Sequence, residues 1–244
     1  MLFFRKKENT SVDLGWLHTD MHSHLIPGID DGSPDLKTSL ELVKGFANLG
    51  YRKIITTPHI LWDVYPNTRD IILDKYTGLK NAVLEAGIDI QIEVAAEYYI
   101  DEHFYGLLKN KTPLLTLGGN MVLVEFSMLS APFDLQDMLF EMQLQNYQPV
   151  IAHPERYSYL NRKREVFDEL RNSGCLFQLN LLSLQGYYGN AVKELAEYLL
   201  KKDYYDFAGS DLHHERHMAG LQKLKTTNWM RNLMESSSIK NHLL

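Results

Sequence analysis

Seven short runs rich in apolar and β-forming residues punctuate the chain, at positions 17–21, 53–57, 90–95, 121–126, 149–152, 176–179 and 206–209. Between them the apolar spacing changes to that of a helix. In the first such stretch Leu36, Leu40, Val43 and Ala47 recur every three or four residues and share one helical face. Ser33-Pro34-Asp35 marks its start, with the proline expected at the first helical position, and Gly50 closes it. Positions 70–85, 134–145, 162–172 and 191–201 predict further helices, and 218–225 an amphipathic one. Strands alternating with helices of this length build parallel βαβ units, and seven of them predict an α/β barrel rather than an open sheet. No internal repeat, long linker or low-complexity tract breaks the pattern. Residues 236–244 carry little pattern and are expected to fray.

Composition narrows this picture without redirecting it. At 244 residues, 45% hydrophobic and 23% charged, the chain has ordinary globular usage and the length of a single barrel domain. Its one cysteine, Cys175, has no internal disulfide partner and reads as a buried strand residue, which points to a reducing, cytoplasmic setting. The apolar start at residues 1–4, followed by Arg5-Lys6-Lys7, has the wrong order for a signal peptide and is too short to span a bilayer. A formal net charge of -6 with no basic stripe argues against nucleic acid or a membrane surface as partner. An anionic substrate would then need a local source of positive charge, which bound metal ions supply.

Laying the chemistry-bearing residues on the strand map gives the informative pattern. Asp20-Met21-His22-Ser23-His24 ends the first run, and strand alternation puts His22 and His24 on one face, with Asp30-Asp31-Gly32 in the loop beyond. Thr57-Pro58-His59 ends the second run, Ala96-Glu97 the third, Val124-Glu125 the fourth, His153-Pro154-Glu155-Arg156 the fifth and Ser210-Asp211-Leu212-His213 the seventh. Only the sixth delivers no ligand-type residue. Taken singly, each motif has a structural reading: a turn, a strand-ending proline, a partnered buried carboxylate. Incidental residues have no reason, however, to share the C-terminal end of successive strands, where barrel enzymes build their sites. Imidazole with carboxylate suits zinc, manganese or iron, and no Cys-x-x-Cys pair suggests a structural zinc site. Cys175 leads into Leu-Phe-Gln-Leu-Asn, which is not the phosphate loop of a cysteine phosphatase, and Gly118-Gly119 reads as a turn.

This series, from about Asp20 to His213, resembles the polymerase-and-histidinol-phosphatase (PHP) superfamily, and within it the bacterial tyrosine-protein phosphatases of capsular and exopolysaccharide biosynthesis. The resemblance implies a distorted (β/α)7 barrel of the PHP type over residues 19–244, with residues 1–18 as an N-terminal extension. It implies one metal held by His22, His24, Glu97 and Asp211, and a second held by the bridging Glu97 with Glu125 and His153. A third would take Asp31, His59 and His213, with Asp30 the alternative to Asp31. The family expectation for the three divalent ions is manganese, with iron, zinc or cobalt as alternatives. Arg156, a planar donor fork, suits a phosphate-clamping catalytic role. The implied reaction is attack of a metal-activated hydroxide on phosphotyrosine, on the phosphorylated tail of a polysaccharide co-polymerase kinase in the cytoplasm. The alternatives are a small-molecule phosphomonoesterase such as a histidinol-phosphatase, a polymerase-associated nuclease, disfavoured by the missing basic stripe, and a non-catalytic PHP scaffold, which would be expected to have lost ligands. Tyr98-Tyr99, Tyr157 with Tyr159, and Tyr187-Tyr188 fall near the same face but read equally well as rim residues.

Overall fold

A computed structural model describes residues 13–132, 134–224, 227–236 and 238–244. The fold is α/β and every strand pairing is parallel. The strands are β1 (Thr19–Asp20), β2 (Lys53–Thr56), β3 (His59–Ile60), β4 (Gln91–Val94), β5 (Glu97–Tyr99), β6 (Met121–Glu125), β7 (Gln148–Ala152), β8 (Leu176–Asn180) and β9 (Phe207–Gly209). They form one sheet ordered β1-β2-β4 and another ordered β3-β5-β6-β7-β8-β9. The second and third apolar runs are therefore each followed by a further short strand, β3 after Thr57-Pro58 and β5 after Ala95-Ala96. Pro58 has no N–H to offer a ladder, so a break falls there naturally.

Backbone bonds knit the two sheets together. Glu97 N–H donates to Pro58 O at 3.1 Å across the break, and Thr57 N–H donates to Ser23 O at 2.7 Å. On the far side, Asp211 N–H donates to His22 O at 2.8 Å and His24 N–H to Leu212 O at 2.9 Å, so the chain after β9 runs parallel beside the chain after β1. At the opposite end of the same strands the Asn241 side chain bonds Thr19 O in β1 and both backbone groups of Ala208 in β9. The tail expected to fray is thus pinned by a buried amide that satisfies three backbone groups.

Alternation along the strands divides the core in two. Met21, Ile55, Leu123, Val150, Ala152 and Phe207 form one small cluster. Ile54, Val122, Val124, Ile151, Phe177 and Leu179 point the other way, into the larger core beneath the helices. This two-sided burial explains why the strands read as nearly continuous apolar runs.

The helices are α1 (Leu36–Asn48), α2 (Arg69–Glu85), α3 (Glu102–Lys109), α4 (Leu135–Leu144), α5 (Glu165–Asn172), α6 (Asn190–Lys201), α7 (Glu215–Gln222) and α8 (Asn228–Glu235). Asp35, in extended geometry, is the N-cap of α1 and accepts from Thr38 N–H at 2.8 Å, so Pro34 precedes the helix instead of occupying its first turn. Helix α7 begins three residues earlier than expected, capped by His214, and Lys225 lies outside the described residues. The sequence pattern did not predict α3 or α8; both are single short amphipathic elements of eight residues. Of the expected N-terminal extension, residues 1–12 lie outside the described residues, while Leu14 and Leu17 are buried in the larger core.

Candidate metal centre

All nine expected ligands converge where the strands end. Their donor atoms fall into three groups, each with every pair within 4.8 Å: His22, Glu97, His153 and Asp211; His24, Asp31, His59 and His213; and His59, Glu97 and Glu125. This grouping joins His153, rather than His24, to His22. His24 Nε2 nevertheless lies 3.3 Å from Glu97 Oε2 and 3.6 Å from Asp211 Oδ1, so the groups are contiguous. Glu97 sits at the middle, 1% exposed, with His22 Nε2 at 3.0 Å, His153 Nε2 at 3.3 Å and His59 Nε2 at 3.4 Å.

The backbone aims these side chains. Ala152 already faces the smaller cluster, so regular alternation would turn the next residue away; His153 instead adopts a left-handed φ of 30°. Asp211, just past β9, does the same with φ 49°. Non-glycine residues held there cost on the order of 1–3 kcal/mol each and persist only where the surroundings fix them.

Hydrogen bonds on the outer ring nitrogens orient the imidazoles. His22 Nδ1 pairs with Gln178 Oε1 at 2.8 Å, His24 Nδ1 with Asp30 Oδ2 at 2.8 Å, and His213 Nδ1 with the Asp211 carbonyl at 2.9 Å. Acceptors at Nδ1 hold the proton there and leave an Nε2 lone pair directed inward, the usual arrangement of metal-ligating histidines. Asp211 is fixed likewise: its Oδ2 accepts from Arg156 Nη1 at 2.6 Å and Asn180 Nδ2 at 3.0 Å, leaving Oδ1 toward His22 and His213, each 3.4 Å away.

Sequence reasoning missed this supporting layer. Asp30 has a fully buried side chain and accepts from His59 N–H and Gly32 N–H besides holding His24, whereas the Asp31 side chain is half exposed and faces His59 and His213, each at 3.5 Å. Gln178 and Asn180 come from β8, the one run without ligand-type residues; its alternation, Leu176-Phe177-Gln178-Leu179-Asn180, was the available signal. Of the tyrosines, Tyr98 and Tyr157 are structural: Tyr98 accepts from Leu115 N–H, and Tyr157 ties Phe126 N–H to Ala152 O. Tyr188 does reach the site, its ring lying 4.6 Å beneath the Arg156 guanidinium.

The arrangement fits divalent cations. The Nε2 atoms of His22 and His24 face each other at 3.3 Å, and Glu97 Oε1 is buried without a hydrogen-bond partner although His153 Nε2 is 3.3 Å off. Such groups aim at shared points between them rather than at one another, and nitrogen with carboxylate oxygen is a donor set that first-row dications accept. Burial opposes charge on His22, Glu97 and Asp211, yet mutual attraction prevails: His22 beside Glu97 first, then Asp211, is raised above its ordinary range, and Glu97 and Asp211, each beside His22, are held well below the carboxylate range. Glu97 and Asp211 therefore stay ionised, and a cation bound there would displace the His22 proton.

A profile described as capsular polysaccharide synthesis, CpsB/CapC, matches residues 18–239. The chain belongs to the CpsB/CapC family. One similar CpsB/CapC relative is tyrosine-protein phosphatase YwqE of Bacillus subtilis (strain 168), 29% identical over 198 residues, covering 80% of this chain and 76% of that protein. Another is tyrosine-protein phosphatase CpsB of Streptococcus pneumoniae, 28% identical over 200 residues, covering 80% and 82%. A crystal structure from work on YwqE of Bacillus subtilis and CpsB of Streptococcus pneumoniae, described as unique metal-dependent tyrosine phosphatases, superposes with TM-score 0.78 and 25% identity over 91% of this chain and 89% of that one. An amidohydrolase from Mycoplasma synoviae, at TM-score 0.52 and 13% identity over 89% and 80%, shares the fold alone.

Proposed function

We propose that this CpsB/CapC protein is a metal-dependent protein-tyrosine phosphatase that acts on a capsular or exopolysaccharide biosynthesis kinase in the cytoplasm. The observation that carries the reading is the convergence of nine imidazole and carboxylate donors beside a half-buried arginine. The proposal includes a single domain over residues 19–244 whose two sheets close as a distorted (β/α)7 barrel, the bonds between the segments after β1 and β9 being its support. It also includes three divalent ions, manganese by family expectation, held by the nine ligands, with Asp31 rather than Asp30 as ligand because the Asp30 carboxylate is already taken by protein donors.

When bound, such cations act as Lewis acids toward phosphoryl oxygens and make water a stronger acid near neutral pH. The chain's own residues do the positioning. Glu97, Asp211 and Glu125 keep the negative donors in place, and Gln178 and Asp30 fix which imidazole nitrogens face inward. Arg156 binds a phosphoryl oxygen while its Nη1 bond to Asp211 and the Tyr188 face hold its plane. A tyrosyl oxygen, with a phenol pKa of about 10, leaves without a dedicated general acid.

Metal-loaded protein should hydrolyse a phosphotyrosine peptide in preference to histidinol phosphate and a short oligonucleotide. Thorough chelation should reduce that rate to background, and added manganese should restore it. Preference for histidinol phosphate would overturn the substrate, and activity surviving chelation would overturn the metal requirement. Arg156→Ala should lower kcat/KM by about a hundredfold, the scale of losing one preorganised donor. Its bound metal, measured by elemental analysis, should stay unchanged because Asn180 still holds Asp211. Loss of metal together with activity would make Arg156 structural.

A further inference from the structure

Beside the metal centre, on the outer face of β3 and β5, a cleft of about 380 Å³ opens between α2 and α3. Ile60, Trp62, Tyr98, Leu107 and Leu114 give it an apolar lining. Trp62 is 44% exposed and stacks on His103 with ring centroids 4.1 Å apart and planes 13° from parallel. This pair also lines a second cleft, of about 450 Å³, together with Asp63, Asp101 and Glu102. Asp101 is committed to capping α3 through Phe104 N–H, but Asp63 and Glu102 take part in no ion pair among the described residues. The stack therefore borders both a mainly apolar cleft, whose lining also includes Arg69 and Asp70, and an acidic one.

A single hairpin links these clefts to the reaction site. Leu61 and Tyr65 close it with backbone bonds, and it follows directly on His59. Tyr65, at one end, lies 5.7 Å from the His59 ring, while Trp62, within the turn, faces the clefts. Trp62 is three residues beyond His59, so their backbones lie at most about 11 Å apart, a span that an extended peptide, advancing about 3.3 Å per residue, covers in three or four positions.

We propose that the paired clefts are a docking site for the substrate peptide, taking an apolar or aromatic side chain near the phosphotyrosine against Trp62 and a neighbouring lysine or arginine against Asp63 and Glu102. The inference rests on the phosphotyrosine reading above and deepens it: the enzyme selects its target by flanking sequence as well as by the phosphorylated ring. Rigid aromatic walls suit such anchors because they bury area with little loss of side-chain freedom.

The test is steady-state kinetics on phosphotyrosine peptides whose four flanking positions on each side are varied one at a time to alanine, leucine, lysine or glutamate, with p-nitrophenyl phosphate as a substrate too small to span the distance. At one or two positions leucine should raise kcat/KM about tenfold over alanine, and at an adjacent one lysine should outperform glutamate. Trp62→Ala should erase the leucine preference, lowering kcat/KM on the preferred peptide about tenfold more than on p-nitrophenyl phosphate. Asp63→Lys with Glu102→Lys, an independent surface change, should invert the charge preference. Peptides hydrolysed equally whatever their flanks, or preferences that survive both variants, would overturn the docking site while leaving the phosphatase reading intact. Failure to hydrolyse any phosphopeptide would overturn the phosphatase reading and the docking site with it.

Discussion

Glu97→Gln should strip the centre of metal and lower phosphatase activity by on the order of a thousandfold or more, with the fold retained. Glu97 is the carboxylate that meets four imidazoles, His22, His24, His59 and His153, at 3.0–3.4 Å, and one of its oxygens has no hydrogen-bond partner to anchor it elsewhere. Glutamine has the same shape but is neutral, and its NH2 group presents hydrogens where a cation needs a lone pair. The charge lost is shared by two of the three ligand groups. Several kcal/mol of charge stabilisation in the reaction go with it, which is the basis of the thousandfold figure. Elemental analysis of the purified variant provides a readout independent of turnover. Full metal stoichiometry in Glu97→Gln would refute the central position assigned to this residue, and an unfolded variant by circular dichroism would show that the charge is needed for folding instead.

How much of this centre is legible in the sequence depends on how directly each residue's role leaves a pattern. The proposed ligands stand out because several strands, buried on both faces, read as apolar runs, and a histidine or glutamate closing such a run is conspicuous: Val124-Glu125 after Met121, Ala152-His153 after Pro149. The supporting residues stand out less. Asn180 and Gln178 are neutral, and an amide in a strand is ordinary until the partner across the sheet is known. Asp30 and Asp31 are adjacent and chemically identical; only the fold shows that one is buried against His24 and the other faces His59 and His213.

The same distinction applies to the fold. The alternation of strand and helix is a local property and appears in the pattern of apolar residues. The extra strands that follow two runs, beyond Thr57-Pro58 and Ala95-Ala96, are not local features, because they depend on which neighbour each strand pairs with: β2 with β1 and β4, β3 with β5. The tail at 236–244 looked patternless because its tethers are isolated polar groups with distant partners: Asn241 reaches groups 33 and 222 positions away, and Lys240 N–H donates to Asp206 O. Helices α3 and α8 have eight residues each, the same as α5 and α7, so length alone does not explain why the pattern reveals only the latter pair.

Gly32→Ala should cost about 3 kcal/mol of stability and most of the activity, although it adds one methyl group in a surface loop. A Cβ at this position would lie 2.2 Å from His24 O and 2.4 Å from His24 Cβ, distances that no side-chain rotation relieves. His24 has little freedom to retreat, since its N–H is bonded to Leu212 O at 2.9 Å and its carbonyl accepts from Ser33 N–H at 3.0 Å. The loop must move instead, and it carries both aspartates. Asp30 then loses its hold on His24 and on His59 N–H, and Asp31 leaves the position it shares with His59 and His213. For a domain of this size the loss corresponds to a fall in melting temperature of roughly 6–12 °C. The displaced supporting layer should cost about a further hundredfold in activity or metal affinity. Gly78→Ala, in the middle of α2 with nothing within 4 Å of the added carbon, is the matched control and should be neutral or stabilising by up to about 1 kcal/mol. If both variants melt and turn over like the parent protein, the close approach of the loop to His24 does not set the geometry of the centre, and the role given to Asp30 falls with it.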